Sequence, residues 1–201
     1  MQNPANNEHP VNTLVKQRWS PRAFSNKPVE KEKIRSILEA ARWTPSAFNE
    51  QPWRFIVGQK GDSAYDSILS TLVDWNILWA GNAPLLILNL AKKTFSHNDK
   101  QNVTFKYDLG QAVGFMILEC VNQGLYAHQM SGFDPQKAAE LFNITDDYQA
   151  VSVTAIGYFG SINDLSEDMA GMETKPRERK EIKDLVFGGK FGESYELSNV
   201  R

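Results

Sequence analysis

The segment EKEKIRSILEAARWTPSAFNEQPWRFIVG, from Glu30 to Gly58, joins a helix, a loop and a strand without interruption. Its first half carries apolar residues at helical spacing, at Ile34, Ile37, Leu38 and Ala41. Acidic residues stand early in this helix, where they suit its dipole. The helix is expected to stop at Thr44, because Pro45 disfavours helical geometry in the residue before it. The following run WRFIVG (53–58) predicts a strand.

The rest of the chain surrounds a few further strands with helices, which indicates the α+β class. Strands are predicted at APLLILNLA (83–91), LYAHQM (125–130) and AVSVTAIGYFG (150–160). The last is rich in β-branched residues and is expected at the centre of the sheet. Helices are predicted at VNTLVKQRW (11–19), at 62–80, at roughly 103–123, at DPQKAAELFNI (134–144) and at RERKEIKDLV (177–186). Asn12 and Asp134 are expected to cap two of them, with Pro135 in the first turn.

The composition is that of an ordinary globular domain. The 201 residues are 41% hydrophobic and carry a net charge of −2, which argues against nucleic-acid binding. Residues 1–10 predict a loose arm, and 11–201 are expected to form one domain because no linker or repeat divides them. A single cysteine, Cys120, excludes a disulfide framework, and the missing signal-peptide pattern favours a cytoplasmic protein. The most apolar run, 112–118, is far shorter than the roughly 18 residues that a membrane span requires.

That apolar run lies in the helix predicted at 103–123, which is expected to be buried on most of its faces. Gly110 and Gly114, four residues apart, would let another backbone approach closely. The helix is therefore a candidate dimer element.

Two arginines and a serine stand close together before the first long helix, at Arg18, Ser20 and Arg22. Guanidinium groups present planar donors that fit a phosphate. Taken alone, however, two arginines near a helix end are more often a solvated surface than a site.

Three other stretches combine polar residues with loop-forming ones. In TPSAFNEQPW (44–53), Phe48 and Trp53 either cap the core or border a site with the polar residues between them. In HQMSGFD (128–134), a glycine frees backbone N–H groups to face a ligand. In METKPRERKEI (172–182), Lys175 and Arg177 are expected in a loop just before a helix, as a second phosphate clamp or as a solvated charge run.

Several common chemistries are not indicated. His9, His97 and His128 have no metal-ligand spacing with cysteines or carboxylates. No phosphate-binding P-loop, no G-x-G-x-x-G after a strand and no G-x-S-x-G elbow occurs in the sequence.

In combination, these stretches resemble the nitroreductase-like family of FMN-dependent oxidoreductases. The resemblance rests on RWSPRAF, PSAFNEQPW, NILWAGNAP, YDLGQA, HQMSGFD, AIGY and KPRERK, in that order, and spans about residues 14–186. It implies an α/β sandwich whose mostly antiparallel central sheet is wrapped by helices. It also implies an intertwined homodimer with an FMN at each interface, contacted by both chains.

The resemblance assigns the basic segments to the phosphate end of FMN. Arg18 and Ser20 would hold the phosphate and the ribityl chain, with Trp19 beside them, and Lys175 and Arg177 would complete the clamp. FMN carries about two negative charges on its phosphate, which these cations can balance in an otherwise acidic chain.

Other segments are assigned by the resemblance to the flavin ring. Arg22 would lie near its N1/O2 edge and favour reduction of the flavin. Asn76 would form a hydrogen bond with the ring. The turn that lines the ring, with a backbone N–H facing N5, would be Met130, Ser131 and Gly132. The partner chain would supply Pro45, Ser46 and Asn49.

The activity implied is reduction of nitroaromatics, quinones or related electrophiles by NADH or NADPH in a ping-pong mechanism. The chemistry is flavin-borne, so no catalytic side chain is assigned. Two alternatives remain open: a flavoenzyme of the same fold dedicated to one metabolite, and a flavin-binding protein without turnover. Ala47 departs from the family pattern by lacking a hydroxyl, and the bulky Trp43 could narrow the pocket or pack on the partner chain.

Overall fold

A computed structural model describes residues 3–195, and its centre is a four-stranded antiparallel sheet. The strands are β1 (Trp53–Gln59), β2 (Leu85–Lys92), β3 (Tyr126–Met130) and β4 (Tyr148–Gly157). Their spatial order is β1-β2-β4-β3, and each neighbouring pair is antiparallel. The interior position predicted for residues 150–160 is thus confirmed for β4, and the α+β prediction is confirmed with it.

Seven α-helices lie within the described range. They are α1 (Thr13–Gln17), α2 (Lys31–Arg42), α3 (Ser63–Thr71), α4 (Asp74–Ala80), α5 (Phe105–Asn122), α6 (Pro135–Leu141) and α7 (Glu167–Thr174). Three short 3-10 turns cover Ala47–Asn49, Ile162–Asp164 and Ile182–Asp184.

Strand β2 divides the core into two layers, because its side chains alternate between the two faces of the sheet. Leu85, Ile87 and Ala91 pack on the side of α2 and α5. Leu86, Leu88 and Leu90 pack on the side of α3, α4 and α6. The sheet is therefore covered by helices on both faces, which explains why β2 is apolar along most of its length.

The predicted helix caps are present. The side chain of Asn12 accepts the backbone N–H of Leu14, and that of Asp134 accepts those of Gln136 and Lys137. Pro135 occupies the first turn of α6, where its missing N–H needs no partner.

The helix predicted at 62–80 is two helices, separated at Leu72 and Val73, which are extended (ψ 150° and 151°). The N–H of Val73 donates to the carbonyl of Gly132 at 3.1 Å, so this break fastens the start of α4 to the loop after β3. The break therefore brings Asn76 beside Gly132.

The helix predicted at 177–186 is wrong. This stretch contains no α-helix and only a short 3-10 turn at Ile182–Asp184, and the helix in this region, α7, lies earlier. The apolar side chains of Ile182, Leu185 and Val186 are exposed, so a helix here would have no buried face to stabilise it. In α7, by contrast, Met169 is buried and the side chain of Ser166 caps the first turn.

Helix α5 packs against the sheet and against α2, so it is buried on most of its faces as expected, and one stripe remains open in the single chain. Tyr107 and Phe115 are exposed, and a Cβ added at Gly110 or Gly114 would meet no atom within 4 Å. None of the helices between residues 3 and 195 combines the length and hydropathy of a bilayer-spanning segment.

Candidate functional site

Two distant segments of the chain meet in a cavity of about 240 Å³. One segment follows α1, and the other leaves the C-terminal end of α7. The basic side chains that line the cavity are Arg18, Arg22, Lys175, Arg177 and Arg179, and the other lining residues include Trp19, Ser20 and Glu173. We call this the cationic cavity. It brings together six of the residues that the sequence assigns to a cofactor.

The guanidinium groups of this cavity lie close to one another. Burial lowers the pKa of Arg18, and the charges of Arg177 and Arg179 lower it further. Nη1 of Arg18 donates to Oγ of Ser20 at 3.2 Å. Across residues 3–195, Arg18, Arg177 and Arg179 form no ion pair with a carboxylate. The cavity thus holds like charges that an anion would neutralise.

Arg177 is fastened to the N-terminal arm. Its Nη1 donates to the carbonyls of Asn3 at 2.9 Å and Lys16 at 3.2 Å. The side chain of Asn3 in turn donates to the carbonyl of Lys175 at 3.1 Å. Asn3, in the predicted arm, is therefore held at the edge of the cationic cavity.

Arg22 differs from the other cations because it is paired with a buried carboxylate. Oε1 of Glu173 accepts the backbone N–H of Arg22 at 3.0 Å and lies 3.6 Å from its Nη1. Burial raises the pKa of Glu173, which is only 1% exposed. Nε of Arg22 and Oε2 of Glu173 are buried and have no hydrogen-bond partner within residues 3–195.

Trp19 contributes little open surface to the cavity. It is 5% exposed, and its indole contacts the rings of Tyr126 and Phe159 at 6.0 Å and 5.6 Å between centroids. The indole of Trp19 therefore packs the Arg18–Arg22 segment against β3 and does not extend into the cavity.

A second contact between this segment and β3 comes from His128. Its Nδ1–H donates to the carbonyl of Pro21 at 3.0 Å, and its ring lies 4.4 Å from that of Trp79. Burial lowers its pKa to about 4, and the nearby Arg22 and Arg18 contribute to this shift. His128 is therefore neutral at pH 7 and holds the arginine segment to the strand that ends at Met130.

The turn after β3 is closed by Asn76. Its Nδ2 donates to the carbonyl of Gly132 at 2.9 Å. A Cβ at position 132 would lie 2.7 Å from this Nδ2 and 3.0 Å from Cγ2 of Val73, so only glycine fits without displacement. Met130 is buried and Ser131 is exposed. The structure thus brings Asn76, on α4, against the predicted residues Met130, Ser131 and Gly132 at the end of β3.

The loop between α2 and β1 is held in an unusual backbone conformation. Phe48, Asn49 and Gln51 have positive φ values of 53°, 56° and 51°, which non-glycine residues rarely adopt. Oγ of Ser46 accepts the N–H of Gln51 at 2.9 Å. Oδ2 of the buried Asp108, on α5, accepts the N–H of Ala47 at 3.3 Å.

This loop lies apart from the cationic cavity in the single chain. Pro45 and Asn49 line a different cavity, of about 330 Å³, which shares no lining residue with the first. Trp53 is in the core, but Phe48 is 84% exposed and contacts Phe95 edge-on at 5.6 Å. The interpretation that both aromatics cap the core is therefore correct for Trp53 and wrong for Phe48.

The sequence does not single out four residues that contribute to these sites. Glu173 and Arg179 line the cationic cavity, His128 holds the arginine segment, and Asp108 holds the α2–β1 loop. For Arg179 a signal exists, because Lys175, Arg177 and Arg179 alternate. In an extended segment, alternate residues point to the same side. The helix predicted at 177–186 does not allow this alternation, and it places the proposed phosphate ligands Lys175 and Arg177 before a helix that is absent from the structure.

The donor set of the cationic cavity fits a phosphate ester. Three guanidinium groups that pair with no carboxylate of the described residues, a lysine and a hydroxyl can all donate hydrogen bonds to a phosphate, and the guanidinium groups do so with a planar set of donors. Within residues 3–195, no group of three or more histidine, cysteine or acidic side chains is arranged to hold a metal ion.

Comparisons with known proteins agree with the fold and with the segments involved. A sequence profile described as the nitroreductase family matches residues 15–75 and 69–158. An uncharacterised 15.4 kDa protein from Mycolicibacterium smegmatis is 30% identical over 146 residues, which are 69% of this chain and 97% of that protein.

Two solved structures extend the comparison to nearly the whole chain. A structure described as an oxidoreductase containing FMN is 32% identical with a TM-score of 0.90, and the match covers 96% of this chain and 99% of that one. A protein from Clostridium acetobutylicum, provisionally described as an NADH oxidase, is 27% identical with a TM-score of 0.67. That match covers 89% of this chain and 99% of that one.

Proposed function

The chain belongs to the nitroreductase family, and from this premise we propose that it is an FMN-dependent oxidoreductase. NADH or NADPH is the proposed electron donor, and the proposed acceptors are nitroaromatics, quinones or related small electrophiles. The similar structure that contains FMN supports the cofactor, and the similar NADH oxidase description supports the donor.

The observation that carries the proposal is the cationic cavity. Arg18, Arg177 and Lys175 come from segments more than 150 residues apart, yet they line one cavity without a carboxylate partner for the arginines in the described range. A phosphate with about two negative charges satisfies these donors. In the proposed complex, Ser20 donates or accepts a hydrogen bond at the same end of the cofactor.

The flavin ring is proposed to lie along the turn that Asn76 closes. The contact between His128 and Pro21 ties this turn to the arginine segment, which supports one continuous binding surface from phosphate to ring. Arg22 is proposed to face the N1/O2 edge of the ring, and Met130, Ser131 and Gly132 to line the ring itself.

A homodimer is proposed because the α2–β1 loop is remote from the cationic cavity of its own chain. Pro45, Ser46 and Asn49 would then reach the flavin of the partner chain. The open face of α5, with Gly110 and Gly114, supports such an interface because another backbone can approach it closely.

When bound, FMN supplies the redox chemistry by accepting hydride from the nicotinamide and passing electrons to the acceptor. The side chains of this protein bind the cofactor, balance its charge and orient its ring. Nicotinamide donor and electron acceptor would bind beside the flavin one after the other, which predicts ping-pong kinetics.

The proposal is tested by purifying the protein, recording its flavin absorbance and adding NADH or NADPH without oxygen. We expect a yellow protein that is bleached by one or both nucleotides and recovers its colour when a quinone or nitroarene is added. A protein that neither carries nor takes up FMN would contradict the proposal.

Two other outcomes would identify a different member of the same family. One metabolite that restores the colour far faster than all nitroarenes and quinones would indicate a dedicated enzyme. Bound FMN that neither nucleotide bleaches would indicate a flavin-binding protein without turnover.

A further inference from the structure

We propose that Arg179 is an additional ligand of the cofactor's phosphate and makes the site selective for FMN over riboflavin. This inference rests on the proposed function and adds a residue that the sequence comparison with the family did not assign. It is carried by the position of Arg179 in the cavity and by the charges around it.

Arg179 lies on the wall of the cationic cavity together with Lys175 and Arg177. The backbone is extended at Lys175 and at Glu181, and none of the residues between them lies in a helix. Nη1 of Arg179 donates to the carbonyl of its neighbour Glu178 at 2.6 Å, and its other guanidinium N–H groups form no hydrogen bond to the described residues. Most of its donors are therefore free for a ligand.

The charge of Arg179 acts on the two other guanidinium groups of the cavity. Burial lowers the pKa of Arg18 and of Arg177, and the charge of Arg179 lowers both further. The three positive charges therefore repel one another in the ligand-free chain. A phosphate dianion between them replaces this repulsion with attraction. Arg22 takes little part in this balance because Glu173 neutralises it.

The acidic side chains near this segment do not neutralise the guanidinium groups of Arg18, Arg177 and Arg179. Glu181 pairs with Lys183 at 2.6 Å, and Glu178 is exposed. Glu8 lines a neighbouring cavity of about 390 Å³ that Arg18, Arg177 and Arg179 also border, but within residues 3–195 it forms no ion pair with them. The carboxylate that lines the cationic cavity, Glu173, is held by Arg22.

Lys180 offers a matched control. It follows Arg179 directly, carries the same charge and is also exposed, but it lines the neighbouring cavity and not the cationic cavity. A variant at position 180 therefore reports the general effect of losing one positive charge from this segment.

The experiment measures the dissociation constants of FMN and riboflavin for the full-length protein freed of flavin. The wild type, Arg179→Gln and Lys180→Gln are titrated at low ionic strength and followed by quenching of flavin fluorescence. Arg179→Gln is expected to weaken FMN binding about tenfold or more, as expected for the loss of a charge-assisted hydrogen bond. The dissociation constant of riboflavin for Arg179→Gln should stay within about twofold of the wild-type value. For Lys180→Gln, the constants of both flavins should stay within about twofold of the wild-type values.

Three results would overturn the inference: unchanged FMN affinity in Arg179→Gln, equal losses in the two variants, or an equal loss for FMN and riboflavin. A wild-type protein that binds neither flavin would instead contradict the proposed function. Matching urea midpoints for the two variants would exclude unfolding as the cause of any difference.

Discussion

The buried carboxylate of Glu173 and the partly exposed Arg22 form a pair that lines the cationic cavity, joined by the 3.0 Å hydrogen bond from the backbone N–H of Arg22 to Oε1 of Glu173. The pair connects the segment after α1 to the C-terminal half of α7. It therefore holds together the two parts of the chain from which the phosphate site is built.

Glu173→Ala should lower the free energy of unfolding by about 1–3 kcal/mol, because it leaves the Arg22 N–H and guanidinium without their acceptor. Glu173→Gln keeps an acceptor oxygen at this position, so its free energy of unfolding should fall less than that of Glu173→Ala. Urea unfolding of the two variants measures the difference. Equal stability of the wild type and Glu173→Ala would show that the pair does not hold the two segments together.

Arg18→Ala should weaken FMN binding by about 1.5–3 kcal/mol through the loss of a charge-assisted contact. Arg35→Ala is the control, because Arg35 is exposed on α2 and pairs only with Glu32. Equilibrium titration with FMN compares the two. If both variants bind FMN as the wild type does, Arg18 is not a phosphate ligand.

Gly132→Ala should disturb the turn after β3, because the added Cβ would lie 2.7 Å from Nδ2 of Asn76. We expect a loss of about 1–3 kcal/mol in stability and an altered flavin spectrum; Gly132→Val should have a larger effect. Gly171→Ala, in α7, is the control, since its Cβ would meet no atom within 4 Å. A Gly132→Ala protein with wild-type stability and spectrum would argue against a tight turn at the ring.

His128 should make the protein less stable in mild acid. Its folded-state pKa, about 4, lies below the ordinary value of 6.5, so the unfolded chain binds a proton more readily than the folded chain. Stability is therefore fully present above pH 6.5 and is lost as the pH falls towards 4, by up to about 3 kcal/mol.

Urea unfolding of the wild type and of His128→Gln between pH 4 and pH 7 measures this loss. The variant should lack the part of the pH dependence that His128 causes. A wild-type stability that falls with pH in the same way as that of the variant would show that another group is responsible.

The sequence predicts those elements whose signal is local. The caps at Asn12 and Asp134 and the end of α2 before Pro45 depend on neighbouring residues, and the structure confirms them. The break between α3 and α4 was not predicted, because it depends on a hydrogen bond from Val73 to Gly132, almost sixty residues away in the chain.

The candidate site was only partly predictable for the same reason. Arg18, Lys175 and Arg177 could be connected through their resemblance to a family, and they do line one cavity. Glu173 could not be singled out, because its importance comes from burial next to Arg22 rather than from any sequence pattern. The exposure of Phe48 could not be predicted either, because the α2–β1 loop adopts an unusual backbone conformation that composition does not reveal.

A crystal structure of the protein with FMN bound would locate the cofactor's phosphate directly. We predict the phosphate in the cationic cavity, within hydrogen-bond distance of Arg18, Lys175 and Arg177, with the ring extending towards Asn76 and Gly132. A phosphate bound elsewhere, or FMN remote from these residues, would show that the cationic cavity is not the phosphate site.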